Sequence, residues 1–296
     1  MMRTEQRNLL KGLAFISPWL IGFAVFTALP LGLSLYYSFC DYSLLQPPVY
    51  IGTANYQELW RDPDFWKTLG NTFYYASLAL PLGMIMALGA AMLLNVKTRG
   101  TSIYRTIVFL PSLVPAVASA MVWLWLLNAK LGLINAFLIW VGVDNPPSWL
   151  EDVRWAMPAL VLMSLWGVGN TVVIYLAGLQ DVPRELYEAA DLDGAGTMQK
   201  MMNVTLPVLS PVIFFNLIIA IIGTLQVFVG PSIMTGASGN PEKSTYFYTM
   251  HLYNHAFQFL HMGYASAMAW VQLLIVLVLT GVAFWTSKRW VHYQGK

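Results

Sequence analysis

Charged side chains are missing from six long intervals of the chain, 12–40, 68–96, 106–129, 155–180, 201–241 and 244–287, the shortest of them 24 residues. A helix of about 20 apolar residues crosses a bilayer core roughly 30 Å thick, so each interval holds room for one span. The pattern predicts transmembrane helices near 12–39, 71–95, 105–128, 156–179, 206–234 and 263–287. The last two intervals exceed what one span needs. Their polar and aromatic stretches, TGASGNP and HLYNHAFQFLH, are expected to be external loop. The runs lack strict alternation, and lipid requires every backbone polar group to be satisfied internally, so helices are favoured over a barrel. The fold class expected is an all-α polytopic membrane protein.

Composition agrees. Of 296 residues, 57% are hydrophobic and 10% charged, against about 25% charged in soluble domains. Lysine and arginine set the orientation. With the N-terminus inside, Arg3, Arg7, Lys11, Lys97, Arg99, Arg105, Arg184, Lys200, Lys288, Arg289 and Lys296 lie on the inner side, eleven in all. Only Arg61, Lys67, Lys130, Arg154 and Lys243 lie outside. Both termini are then cytoplasmic. The first apolar run is too long for a signal-peptide core and no A-x-A site follows it, so it is expected to be an uncleaved anchor. The single Cys40 leaves the redox compartment open, and a net charge of +2 points to no nucleic-acid partner.

Apart from Arg105 at the inner end of the third, the six spans contain no Asp, Glu, Lys or Arg. Ion- and proton-coupled transporters usually carry such groups near the midplane, so their absence weighs against a self-powered secondary transporter. The spans do carry neutral hydrogen-bonding residues beside aromatics. Span four has Ser164, Trp166, Gly167, Gly169, Asn170 and Thr171; span five has Asn216, Thr224 and Gln226; span six has Ser266, Trp270 and Gln272. Such residues pack helices against one another; as a set they equally suit a pathway for an uncharged, hydroxyl-rich solute. Ser164, Trp166, Gly167, Asn170, Thr224, Gln226 and Trp270 are the candidate pathway residues. Prolines at the spans, among them Pro111, Pro115, Pro158 and Pro211, are expected to kink helices.

Between spans four and five lies a polar segment, LQDVPRELYEAADLDGAGTMQKMMNVTLPVL. Asp181 is expected to cap a helix that Pro183 begins. Gly194 and Gly196 end it, glycine permitting positive φ. Thr197 is expected to cap a second short helix. Residues 181–200 hold five acids and two bases. Helices lying on an anionic inner leaflet are usually basic, so this one suits a basic protein cleft better than a membrane surface. Ala189 and Ala190 offer a smooth surface for close approach.

Glu188-Ala189-Ala190, three residues, Gly194, nine residues, then Val204-Thr205-Leu206-Pro207 resembles the E-A-A…G…I-x-L-P cytoplasmic loop of binding-protein-dependent ABC importer permeases. Every spacing matches, and Val204 replaces isoleucine. The rest of the chain resembles the maltose and glycerol-phosphate branch of carbohydrate permeases. NYQELWRDPDFWKTLGNTFYY looks like that branch's outer segment. YRTIVFLPSLVPAVASAMVWLWLLN, with Gly132 and Asn135, looks like its third span and following loop. MTGASGNPEKST is similar to its T-x-G-G-P loop, altered in detail. The resemblance implies a type I importer permease fold in the cytoplasmic (inner) membrane. Residues 1–70 would form the N-terminal tail, first span and outer loop; 71–287 the permease core, with coupling loop 181–207; and 288–296 a cytoplasmic tail. It also implies that Glu188, Ala189, Ala190, Asp191, Gly194, Ala195, Leu206 and Pro207 meet an ATPase, Glu188 as a charge partner. The implied partners are two ATPase subunits, a second permease forming a heterodimer, an external binding protein and a sugar.

The chain has no G-x-x-x-x-G-K-[ST] loop, so no cofactor is expected on it; ATP and Mg belong to the partner subunits. His251 and His255 stand at i, i+4, but no third ligand or intervening glutamate completes a metal motif. DLDG lacks the remaining ligands of a calcium loop. No catalytic residues are assigned, because no paired acids or Ser/His set lies near a span. A self-contained facilitator or channel remains the alternative, distinguished by transport without partners.

Overall fold

The computed structural model describes residues 4–96 and 98–292; Arg3, Lys97 and Lys296 of the inner basic set lie outside them. Among the described residues the regular structure is helical, apart from one two-residue antiparallel pair and an isolated bridge between Ser43 and His261. In order the helices are α1 Thr4–Phe23, α2 Leu29–Tyr37, α3 Ala54–Arg61, α4 Pro63–Asn95, α5 Thr101–Phe109, α6 Ala116–Leu126, α7 Leu133–Trp140, α8 Val153–Trp166, α9 Gly169–Gln180, α10 Arg184–Leu192, α11 Thr197–Lys200, α12 Leu206–Leu225, α13 Val229–Met234, α14 Tyr248–Tyr253 and α15 Met262–Ser287. Four segments are long and apolar enough to cross a membrane alone: Lys11–Tyr37, Pro63–Asn95, Thr197–Met234 and Met262–Ser287. Two bent pairs, α5 with α6 and α8 with α9, raise the number to six.

The expected spans therefore appear, with corrections. The third is not one continuous helix. Its halves meet at 99°, because Leu110–Leu113 tightens into a 3₁₀ turn and Val114 and Pro115 are extended. Pro115 forces the residue before it out of the helical region and cannot donate to the previous turn. The fourth bends by 48° between Trp166 and Gly169. HLYNHAFQFLH, expected outside the spans, forms none of them and is itself helical: α14 runs into a π-turn over Asn254–Gln258.

The chain divides into two compact units, 1–62 with 252–273, and 63–251 with 274–296. In the first, the pair β1 (Cys40–Asp41) and β2 (Val49–Tyr50) ends the opening helix. Buried Asn55 on α3 donates to the carbonyls of Ser38 and Cys40, each at 2.9 Å. Gly263 admits the same turn: a Cβ there would lie 2.0 Å from the Cys40 oxygen. Tyr264 donates to Asp62 at 2.9 Å. The Lys11–Tyr37 helix buries none of its most apolar stretch within the chain.

In the second unit α4 is the central element, with α8, α9 and α12 packed on it. Its 33 residues extend about 50 Å at 1.5 Å per residue. Alanines 79, 87 and 91 are fully or nearly fully buried, small enough for helices to close on them. Two cores form along this helix. One joins Tyr75 and Ala79 to Trp123, Leu160 and Phe247; the other joins Ala87 and Ala91 to Val172, Tyr175 and Leu209. Gly178 lets α9 meet α12, since a Cβ there would sit 2.7 Å from Leu209. The loop before α14 is pinned to α4. Asn71 donates to the carbonyls of Lys243 and Tyr246 at 2.7 and 2.9 Å, and Thr72 accepts the Tyr248 amide at 3.0 Å. Burial raises the Tyr248 phenol well above its ordinary range.

Asn55→Ala removes both donors from two enclosed carbonyls. Its expected cost is on the order of 1–3 kcal/mol, read as a lowered thermal midpoint of the purified protein in detergent; an unchanged midpoint contradicts the anchoring role.

Candidate substrate cleft and coupling surface

Between the two cores, midway along α4, lies a cleft of about 220 Å³. Leu80, Gly83 and Met84 line it from α4, Ser164, Gly167, Val168 and Thr171 from α8 and α9, and Asn216, Ile219, Ala220 and Thr224 from α12. The break between α8 and α9 shapes this wall. At the same break Gly169 lies against α5, where a Cβ would meet the Val108 carbonyl oxygen at 2.8 Å.

Three polar groups of the cleft, those of Ser164, Asn216 and Thr224, are bonded along their own helices. Ser164 donates to the Val161 carbonyl at 2.7 Å, Thr224 to Ala220 at 2.7 Å, and Asn216 to Val212 at 2.9 Å. Such back-bonding consumes one proton per group and leaves hydroxyl lone pairs and the Asn216 amide oxygen as acceptors. The cleft therefore offers acceptors to hydroxyl donors, and no ionised group lines it.

Of the candidate pathway residues, Ser164, Gly167 and Thr224 line this cleft. Trp166 sits beside it in sequence, its ring edge-on to that of Trp123 with centroids 6.2 Å apart. Asn170 and Gln226 are exposed at helix ends away from the lining. Trp270 belongs to the other compact unit, where its indole donates to Ser34 at 3.1 Å. Tyr75 and Gly83 were absent from the candidate set, and Asn216 was among the neutral polar residues of span five but not carried into that set. Asn216 carried a visible signal as a polar residue in an apolar span; Tyr75 and Gly83 carried none until α4 was seen to face α8 and α12.

The polar segment forms α10, a turn and α11, which passes through a π-turn at Met201–Thr205 directly into α12. Two capping expectations are corrected. Asp181 closes the end of α9, and Pro183, already extended, stands at the N-cap of α10. Gly196, not Thr197, caps α11, with its amide donating to the Gln199 side chain at 2.7 Å. Gly194 adopts φ +76°, and the Ala195 amide closes the turn onto Ala190 at 2.9 Å.

This loop carries an open groove of about 410 Å³ whose lining includes Ala189, Ala190, Gly194 and Ala195, with Leu186, Gln199 and Lys200 around them. Asp191 is ion-paired with Lys200. Glu188 is exposed and makes no ion pair among the described residues. Leu206 and Pro207 are half-buried at the start of α12. Apolar side chains also project here: Leu192 is 90% exposed and Met198 67%. The groove of small residues, with exposed Leu192 and Met198 on the same loop, is a candidate docking surface. Leu192 and Met198 were missed because the acids and alanines dominated the pattern.

A bundle of apolar helices, two of them broken, with an uncharged cleft and an exposed polar loop between two spans is the arrangement of a membrane transport subunit. The family model of the binding-protein-dependent transport system inner membrane component matches residues 79–292, and the chain belongs to that family. Among its relatives, a Bacillus subtilis (strain 168) protein named "Probable ABC transporter permease protein YesP" is 41% identical over 296 residues, covering 99% of this chain and 96% of that protein. The lactose transport system permease protein LacF of Rhizobium radiobacter is 33% identical over 298 residues, covering 97% and 99%. A solved bacterial ABC transporter involved in import of the acidic polysaccharide alginate superposes with a TM-score of 0.83 at 26% identity, covering 96% of each chain. The chain is accordingly an inner-membrane ABC importer permease that works with a binding protein, and the partner-free facilitator is set aside.

A Cβ placed on Gly194 would have nothing within 4 Å, so Asn and Val, which put side chains of similar size into the groove, differ there chiefly in backbone strain. Gly194→Asn tolerates the left-handed conformation and should retain transport; Gly194→Val should cost about 1–2 kcal/mol of loop stability and reduce uptake. Equal uptake by both variants removes the turn from the argument.

Proposed function

We propose that this permease imports a neutral or weakly charged saccharide by alternating access, driven by ATP and Mg on partner ATPase subunits that dock at residues 181–207. The observation that carries the reading is the pairing, within one compact unit, of an uncharged acceptor-lined cleft with a small-residue docking groove on the segment entering α12. The sugar reading is further supported by the lactose permease relative. Lysine and arginine placement supports cytoplasmic termini and a cytoplasmic position for the 181–207 loop.

In this mechanism Ala189, Ala190, Gly194 and Ala195 admit a protruding element of the ATPase, Leu192 and Met198 are covered on docking, and Glu188 meets a basic residue. Movement of the loop is transmitted to α12 because α11 and α12 are joined without a break. Asn216 and Thr224 sit on that helix and move with it. Binding of ATP and of the loaded external protein each favours one conformation and shifts the population toward it. A second, non-identical permease completes the transporter, with two ATPase subunits beneath.

The first experiment is purification of the chain in mild detergent with identification of co-purifying subunits, followed by screening the system's binding protein against saccharides. Recovery of an ATPase and a second permease supports the reading; solute transport in liposomes by the chain alone defeats it. Glu188→Lys should reduce uptake at least roughly tenfold, equivalent to about 1.4 kcal/mol of lost coupling, through ATP hydrolysis without transport or loss of the ATPase on purification. Gly83→Phe should fill the cleft, as Val168 Cγ1 at 3.9 Å is the sole atom within 4 Å of a Cβ there. That variant should lose uptake while keeping its ATPase, and unimpaired uptake would place the pathway elsewhere.

A further inference from the structure

The loop between α6 and α8 holds thirteen consecutive residues without a charge, Leu131–Val143, between Lys130 and Asp144. Within it α7 is amphipathic in an unusual sense. Its inward face is fixed to the protein, and its outward face is wholly apolar. On the inward side Asn135 is 2% exposed. It donates to the carbonyls of Ala129 and Pro147 at 2.9 and 3.1 Å and accepts the Trp149 indole N–H at 2.7 Å. Ile134 packs against the core that holds Trp123 and Leu127. On the outward side, Leu133, Ala136, Phe137 and Trp140 follow one another at i, i+3, i+4 and i+7, a single helical stripe. All four are exposed, Phe137 at 59% and Trp140 at 79%.

The helix is also held at the end of a span. The Asn128 side chain accepts the amides of Lys130 and Leu131 at 3.0 and 2.9 Å, and the Asn128 carbonyl accepts the Gly132 amide at 2.9 Å. This tight turn leaves α7 beside the last turn of α6, where a membrane-crossing segment meets the headgroups. Two partners could cover the stripe, protein or lipid. A protein interface carries about one hydrogen bond per 100–200 Å². The stripe offers one side-chain polar atom, the Trp140 indole nitrogen, at the helix's far end. A tryptophan at the edge of an apolar face, next to a span, is the arrangement that membrane interfaces select.

We infer that α7 is an interfacial helix that lies in the outer leaflet, its Leu133–Phe137–Trp140 stripe in lipid and its Asn135 side fixed to the permease. It would fix the depth of the α6–α8 connection while the spans on either side of it move. The inference needs only a membrane-embedded chain and stands apart from the proposed substrate.

The test uses the assembled transporter in nanodiscs of phosphatidylethanolamine and phosphatidylglycerol. Nitroxide labels are placed singly at Leu133→Cys and Phe137→Cys, with Asp144→Cys as an exposed reference; the unsubstituted chain, whose Cys40 is fully buried, sets the background. Collisions with oxygen relative to a water-soluble nickel chelate should be roughly tenfold more frequent at 133 and 137 than at 144, because the acyl region excludes the chelate. Labels that meet the chelate as often as at 144 show a face in water. Labels shielded from both reagents show a face covered by protein. Either result overturns the inference, and two positions on one stripe guard against a single disruptive substitution.

Discussion

A helix that breaks inside a bilayer frees backbone amides and carbonyls where there is no water to take them. Two of the six spans break in this way, at Leu110–Pro115 and at Trp166–Gly169, and much of the second unit can be understood as the protection of these breaks. Gly169 brings α9 against the backbone of Val108 and Phe109, so the two breaks shield each other. α13 packs against α6 beyond the first break. The breaks are tolerated only because α4, unbroken for 33 residues, supplies a continuous wall for both cores.

The cleft is a consequence of that arrangement. Where α8 gives way to α9 the wall recedes from α4, Val168 alone coming within 4 Å of the place a Gly83 Cβ would take, and Gly83 has no side chain to fill the space. What remains is a hollow walled by hydroxyls and one amide already bonded to their own helices. A hollow of that kind does not require a ligand for stability, which suits a site that must be empty for part of each cycle. An ionised group there would carry a desolvation cost whenever the site closed.

The spans, the absence of charge within them and the 181–207 segment were legible in the sequence because each follows from composition and spacing. The breaks were half legible. Prolines marked the third span, yet a proline alone does not distinguish a kink from a 99° turn; that depended on Val114 also becoming extended. At the fourth span no proline stands at the break, and the glycines gave only a permissive signal. The cleft was least legible. Ser164 and Thr224 stood out as polar residues, but Trp270 and Gln226 stood out equally, and only the packing of α4 against α8 and α12 separates them. The capping residues misled for a local reason. Asp181 and Thr197 are good cap formers, but Pro183 and Gly196 already had the extended geometry an N-cap needs.

The loop and the cleft are connected by the absence of something. With no charged residue lining the cleft, neither a proton nor the membrane potential has a handle on it, so work must enter mechanically. The path for it is short and continuous. From Gly196 the chain is helical through Leu225, so displacement at the groove moves Asn216 and Thr224 with little loss. The one irregularity on that path is the π-turn at Met201–Thr205, and it is held from the side, the Tyr187 hydroxyl of α10 meeting that of Thr205 at 2.9 Å. α10 is therefore tied both to the groove that a partner would grip and to the base of the helix that carries the cleft's polar residues. Whether a push on α10 reaches the cleft depends on that tie, since a π-turn free to flex would absorb the motion before it reached Asn216.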